Sequence, residues 1–136
     1  MILAAPVFLL DTNAWLRFFN RPEELSAASR KVLGEQIVVA LAAISLWEVS
    51  MLVAKGKIIL PVPIQKWMEL SLPDGRVEVL PITPEIAVDS CHLPSDFHGD
   101  PADRLIVATA RAHELTVATS DEKILRYPHV KTFSTR

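Results

Sequence analysis

Two short runs in this chain are apolar nearly throughout, residues 7–10 and 36–42, with none of the in-and-out alternation of a half-solvated strand, and residues 77–82 and 115–119 read as two further strands. A strand without a polar face must be covered on both sides, the situation of a parallel strand in a sheet packed between helices. The intervening segments supply those helices. One is rich in Trp15, Leu16, Phe18 and Phe19 and ends near Asn20-Arg21-Pro22, and an amphipathic one spans 23–34. Another runs from Ser45 to about Lys55, and a further one covers 65–70 before the Pro73-Asp74-Gly75 turn. Thr83-Pro84-Glu85 combines an N-cap, a proline at the first helical position and an early acid, opening a helix through about Leu93. Asp100-Pro101 opens another to about Glu114, a short helix follows Asp121, and residues 130–133 offer a fifth strand. The pattern predicts an α/β fold, with a central, mainly parallel sheet of four or five strands covered on both faces.

At 136 residues the chain has the size of one domain, and no linker or internal repeat divides it, so residues 1–136 are expected to form a single unit. Half of the residues are hydrophobic, and the mean hydropathy is +0.28. That is apolar for one small core and points to a protein partner or a homodimer face. Residues 1–10 are apolar but lack a basic leader region, and Asp11-Thr12-Asn13 stands where a cleavage site would be, so they read as a first strand. Residues 37–54 approach the length of a membrane span, yet Glu48 lies among them, and a strand followed by a buried helix is the expectation. No membrane association is expected. Cys91 is the single cysteine, so no intrachain disulfide or thiolate zinc site can form, and a reducing cytoplasm fits. With 14 basic and 16 acidic residues the net charge is −2, so no global field attracts a polyanion, which must be held locally.

The acids offer such a place. Asp11 and Asp121 follow apolar strands, and in open α/β sheets ligands collect outside the carboxyl ends of the strands. Glu48 and Asp103 fall in early helical turns and can project into the same crevice. Four converging carboxylates repel one another, and a divalent cation removes that penalty. Hard oxygen ligands favour Mg²⁺, with Mn²⁺ as substitute, over zinc. Each acid also has a structural reading. Ser45-Leu46-Trp47-Glu48 fits a capping box, Asp100 and Asp103 have N-cap and N3 spacing, and Asp121 can cap the helix at Glu122. Asp11 is harder to explain as a cap, because Thr12 or Asn13 could serve as well. The joint placement of the four, rather than any one of them, points to a metal site.

The succession Phe8-Leu9-Leu10-Asp11-Thr12-Asn13, Ser45-Leu46-Trp47-Glu48, Asp100-Pro101-Ala102-Asp103-Arg104-Leu105-Ile106 and Val117-Ala118-Thr119-Ser120-Asp121 resembles PIN domains, specifically VapC-type toxins, over nearly the whole chain. The resemblance implies a PIN-like three-layer α/β/α sandwich and a metal-binding, catalytic quartet of Asp11, Glu48, Asp103 and Asp121, with Asp100 as a helix cap. It further implies supporting polar roles for Thr12 or Asn13 and for Thr119. Ser120 departs from the basic or variable residue often found there. The implied activity is Mg²⁺-dependent hydrolysis of RNA by water, which leaves a 5′-phosphate and a 3′-hydroxyl because the ribose 2′-OH takes no part. Asp11 and Asp103 are assigned as the main ligands, with Glu48 and Asp121 completing the site. Arg17, Arg21, Lys55, Lys57 and Arg104 are candidate contacts to RNA phosphates, or ordinary surface charge. The implied partners are a second copy, in a homodimer, and a small antitoxin of a type II toxin-antitoxin pair. Trp15, Phe18, Phe19 and Trp47 suit a partner groove or the core.

Three other functions compete. A phosphatase with Asp11 as nucleophile would want an acid two residues on, where this chain has Asn13. A metal-independent ribonuclease would draw on His92, His98, His113 and His129, none of which has an evident partner, so surface placement is expected for them. A non-catalytic binding module would use the acids as helix caps or as a docking patch.

Overall fold

The computed structural model describes residues 4–136, so the first three residues of the expected N-terminal strand lie outside the described part. The strands are β1 (Phe8–Leu10), β2 (Val39–Ala42), β3 (Val77–Leu80), β4 (Thr116–Thr119) and β5 (Lys131–Ser134). The helices are α1 (Thr12–Asn20), α2 (Ala27–Gly34), α3 (Ala43–Ala54), α4 (Ile64–Ser71), α5 (Pro84–Cys91), α6 (Pro101–His113) and α7 (Glu122–Leu125). All five strands are parallel, in the order β3-β2-β1-β4-β5. Strand β1 is central, with Leu9 level with Ala40 of β2 and Val117 of β4. The chain builds outward from β1 through β2 to β3, then returns to place β4 on the other side. That reversal between β1 and β4 opens a crevice at their carboxyl ends.

The pleat of the sheet sorts the core. Leu9, Ala40 and Val117 face one side, where they pack with Ile106, Val107, Ala110 and Ile124. Their neighbours Leu10, Leu41 and Ala118 face the other, with Trp15, Leu33, Val49 and Trp67. Trp15 and Trp67 are both buried, with ring centroids 4.7 Å apart. Each indole N–H finds an acceptor, the Ser71 carbonyl at 3.2 Å for Trp15 and Asn20 Oδ1 at 2.7 Å for Trp67. Trp47 stays outside, 59% exposed.

Several boundaries differ from the sequence expectation. The helix expected over 23–34 is two elements, a 3₁₀ turn at Pro22–Glu24 and α2, because Ser26 stops the first and caps the second through Ser29 N–H. The Ser26 N–H also donates to the Thr135 carbonyl at 2.9 Å, which ties this break to the C-terminal segment. Strand β2 starts only at Val39, since the Gln36 amide N–H closes the end of α2 on the Leu33 carbonyl and Ile37 is 70% exposed. Strand β3 stops at Leu80 because Pro81 has no N–H for the ladder. Helix α3 begins at Ala43, straight out of β2, with Ala42 as its cap residue. Ser45 is therefore inside the helix, and the capping box expected for Glu48 does not form. Residues 37–54 comprise β2 and α3, and among the described residues no helix is long and apolar enough to cross a membrane.

Candidate active site

At the end of β1 the chain turns directly into α1, and Asp11 occupies the junction. Although Thr12 or Asn13 could have served, the cap is Asp11 itself, whose Oδ1 accepts the Ala14 N–H at 2.8 Å. Its Oδ2 accepts the Thr119 hydroxyl at 2.5 Å. Thr119 ends β4 beside β1, so the switch between the two strands makes this contact. The Thr119 oxygen in turn accepts the Asp121 N–H at 2.9 Å, and Asp121 Oδ1 caps α7 through Lys123 N–H at 2.8 Å. Thr12 is buried and joins Ser45 by a 2.9 Å hydroxyl contact, which pins the start of α1 to the first turn of α3, the helix that carries Glu48. Asp100 caps α6 through Asp103 N–H at 3.0 Å. Of the three polar residues expected to support the site, Thr119 and Thr12 are buried and hydrogen-bonded as described, whereas Asn13 is exposed.

Electrostatics report how closely the acids gather. Burial and then the charges of Asp100, Asp121, Glu48 and Asp11 push the Asp103 carboxyl from 3.8 up to about 7. Burial also raises Asp11, against the opposing hydrogen bonds from Thr119 and Ala14, with a further rise from Asp121 and a smaller relief from Arg17. The four acids singled out from sequence therefore share one electrostatic neighbourhood. The donor set, hard carboxylate oxygens short of positive charge, fits a divalent cation such as Mg²⁺. Among the described residues, no three His, Cys, Asp or Glu side chains already stand around one point at ligand spacing. Water molecules would complete the shell, as Mg²⁺ commonly requires.

His98 was missed from sequence. Rather than lying on the surface away from the chemistry, its side chain is only 20% exposed and its Nε2 lies 3.2 Å from Asp103 Oδ2. The loop that presents it is clamped by Arg104, whose Nε donates to the Ser90 carbonyl at 2.7 Å. Arg104 Nη1 donates to the carbonyls of Phe97 and His98 at 3.0 and 3.1 Å. Arg104 is thereby corrected from a candidate RNA contact to an internal brace, because its guanidinium is committed to backbone carbonyls. The sequence signal was available in the spacing His98-Gly99-Asp100-Pro101, which sets the imidazole two residues before a helix cap and five before Asp103.

The other candidate cations divide. Arg17, Arg21 and Lys57 line a groove of about 480 Å³ that begins beside Asn13 and also takes in Leu16 and Ile59. Arg17 donates to Ser120 Oγ at 2.7 Å and lies 3.9 Å from Glu24, while Arg21 lies 3.6 Å from the same carboxylate. Lys55 is exposed at the end of α3 and lies off the groove.

A parallel α/β/α sandwich with acids at the β1–β4 switch defines a class, and the comparison with known families agrees. Residues 8–130 match the PIN domain, and the chain belongs to that family. Ribonuclease VapC22 of Mycobacterium tuberculosis is 36% identical over 121 residues, which span 89% of this chain and 92% of that protein. Among solved structures, a DNA-bound VapBC from Salmonella typhimurium superposes with a TM-score of 0.75 at 19% identity, covering 97% of this chain and 100% of that one. A toxin-antitoxin complex from Klebsiella pneumoniae gives 0.68 at 22% identity over 94% and 97% of the two chains. At these identities the structural matches speak for the fold.

Proposed function

We propose that this chain is a Mg²⁺-dependent endoribonuclease and the toxin of a type II toxin-antitoxin pair, working as a homodimer held in check by a small antitoxin. The observation that carries the reading is the mutual repulsion of the four carboxylates at Asp103, a charge imbalance that a divalent cation would relieve. The relationship to a ribonuclease over most of both chains supports the choice of RNA as substrate. Asp11 and Asp103 are the main ligands in this reading, and Glu48 and Asp121 complete the set. Asp11 retains lone pairs for an ion although both of its oxygens accept a hydrogen bond. Bound there, Mg²⁺ or Mn²⁺ would supply Lewis-acid chemistry, making water a better nucleophile and offsetting charge on the phosphate.

The protein's own part is to orient and to bind. Thr119 fixes the Asp11 carboxylate and the Asp121 backbone through one hydroxyl. Arg17, Arg21 and Lys57 would hold the RNA phosphates in the groove beside Asn13. The exposed Trp47 suits contact with a protein partner.

The test is cleavage of a mixed structured RNA pool with Mg²⁺ or Mn²⁺, with EDTA, and with Asp11→Asn, followed by mapping of the product ends. Metal-dependent cuts bearing 5′-phosphates and lost in Asp11→Asn are expected. Cleavage indifferent to EDTA would favour histidine chemistry, and no cleavage by antitoxin-free protein with either metal would favour a binding module.

A further inference from the structure

We propose that His98 is a positioning residue for Asp103: its imidazole holds Oδ2 of the carboxylate against the α5–α6 loop and leaves Oδ1 to meet a divalent cation. The inference rests on the metal-site reading above but concerns a residue outside the acidic quartet.

His98 Nδ1 accepts the Asp100 N–H at 3.3 Å, so Nδ1 uses its lone pair there and the ring proton of the neutral imidazole sits on Nε2. Nε2 points toward Asp103, 3.2 Å from Oδ2, but out of line for a hydrogen bond, and it is buried with no aligned partner. A buried N–H in that state is penalised for its lost hydration, so any turn of the carboxylate that brings Oδ2 into line is favoured. Among the described residues no hydrogen bond reaches Asp103 Oδ1, which stays available.

Everything behind the imidazole is fixed. The ring packs on Phe97, with centroids 4.4 Å apart, and Phe97 packs on Tyr127 at 4.8 Å. The Tyr127 hydroxyl donates to the Pro94 carbonyl, and Arg104 grips the carbonyls of Phe97 and His98. A single loop residue is thus braced from α6 and from the segment after α7, and its one unsatisfied donor faces one candidate ligand. Partners of this kind orient ligating side chains, and their loss weakens metal affinity by about tenfold to a hundredfold.

The experiment measures Mn²⁺ affinity of the full chain by electron paramagnetic resonance of the free ion, without RNA, for wild type, His98→Ala and His98→Gln. Unfolding midpoints in EDTA are recorded for all three. Glutamine keeps an N–H near the place of Nε2 but has no ring to stack on Phe97. The expected result is a weakening of about tenfold to a hundredfold in His98→Ala that is largely recovered in His98→Gln, while both variants show a lower midpoint in EDTA. Equal Mn²⁺ affinity in His98→Ala and wild type, or equal impairment of the two variants, would overturn the assignment and leave the metal site standing. Wild-type protein that binds no Mn²⁺ would overturn the metal site, and this role with it.

Discussion

The two walls of the crevice hold their carboxylates in opposite ways. On the β1–β4 wall, Asp11 is 5% exposed, yet both of its oxygens accept hydrogen bonds and it caps α1, so it is part of the fold's construction. On the α6 wall, Asp103 is more open, receives only the poorly aligned approach of His98, and stands among like charges. The same crevice thus contains one acid that the structure depends on and one that it tolerates. Burial alone does not decide what a carboxylate costs, and the number of donors aimed at it matters as much.

Three substitutions probe that difference. Arg104→Met removes three bonds to backbone carbonyls and releases the loop that carries His98, and should destabilise the protein by about 3 kcal/mol in urea unfolding. A loss near zero would mean that the α6 wall is not braced as described. Thr119→Val keeps the shape of the side chain but leaves Asp11 Oδ2 and the Asp121 N–H without their shared hydroxyl, so a loss of about 2 kcal/mol is expected. If it were harmless, Asp11 would not be the constructed member of the pair.

Asp103→Asn should act with the opposite sign. The folded chain keeps the Asp103 proton up to about pH 7, whereas the unfolded chain releases it near 4. Between these values the folded state binds more protons, so the group's contribution to stability is complete below about pH 4 and is lost as pH rises through 7. In EDTA, therefore, Asp103→Asn should stabilise the protein on the order of 1 kcal/mol at pH 8 and not at pH 4, while the proposed metal-dependent RNA cleavage should be lost when Mg²⁺ is supplied. Destabilisation at pH 8 would place Asp103 with Asp11 after all.

Much of this architecture was legible because the central strands leave a direct trace. Residues 7–10 are continuously apolar and residues 115–119 carry no charge, since both faces of β1 and β4 are covered, and an acid follows each at the crevice. Edges were harder to read. Strand β3 looked two residues too long because Ile82 is apolar although 45% exposed, and the β2–α3 boundary was hidden because both elements are apolar. The four acids were named from their places at strand ends and in early helical turns together with the family resemblance, but Arg104 and His98 could not be given their roles. Those depend on where the loop between α5 and α6 places carbonyls and a lone pair, at which the spacing of His98 before Asp100 and Asp103 hints without fixing it.

The direct passage of β2 into α3 has a consequence for how such a sequence can drift. With no loop between Ala42 and Ala43, the helix inherits its rotational phase from the strand. One inserted residue would turn everything beyond it by about 100°, swinging Glu48 off the crevice and Ser45 away from Thr12. Substitutions along this segment can be absorbed one at a time, but a change of length cannot, so the junction acts as a fixed index mark from which the crevice is measured.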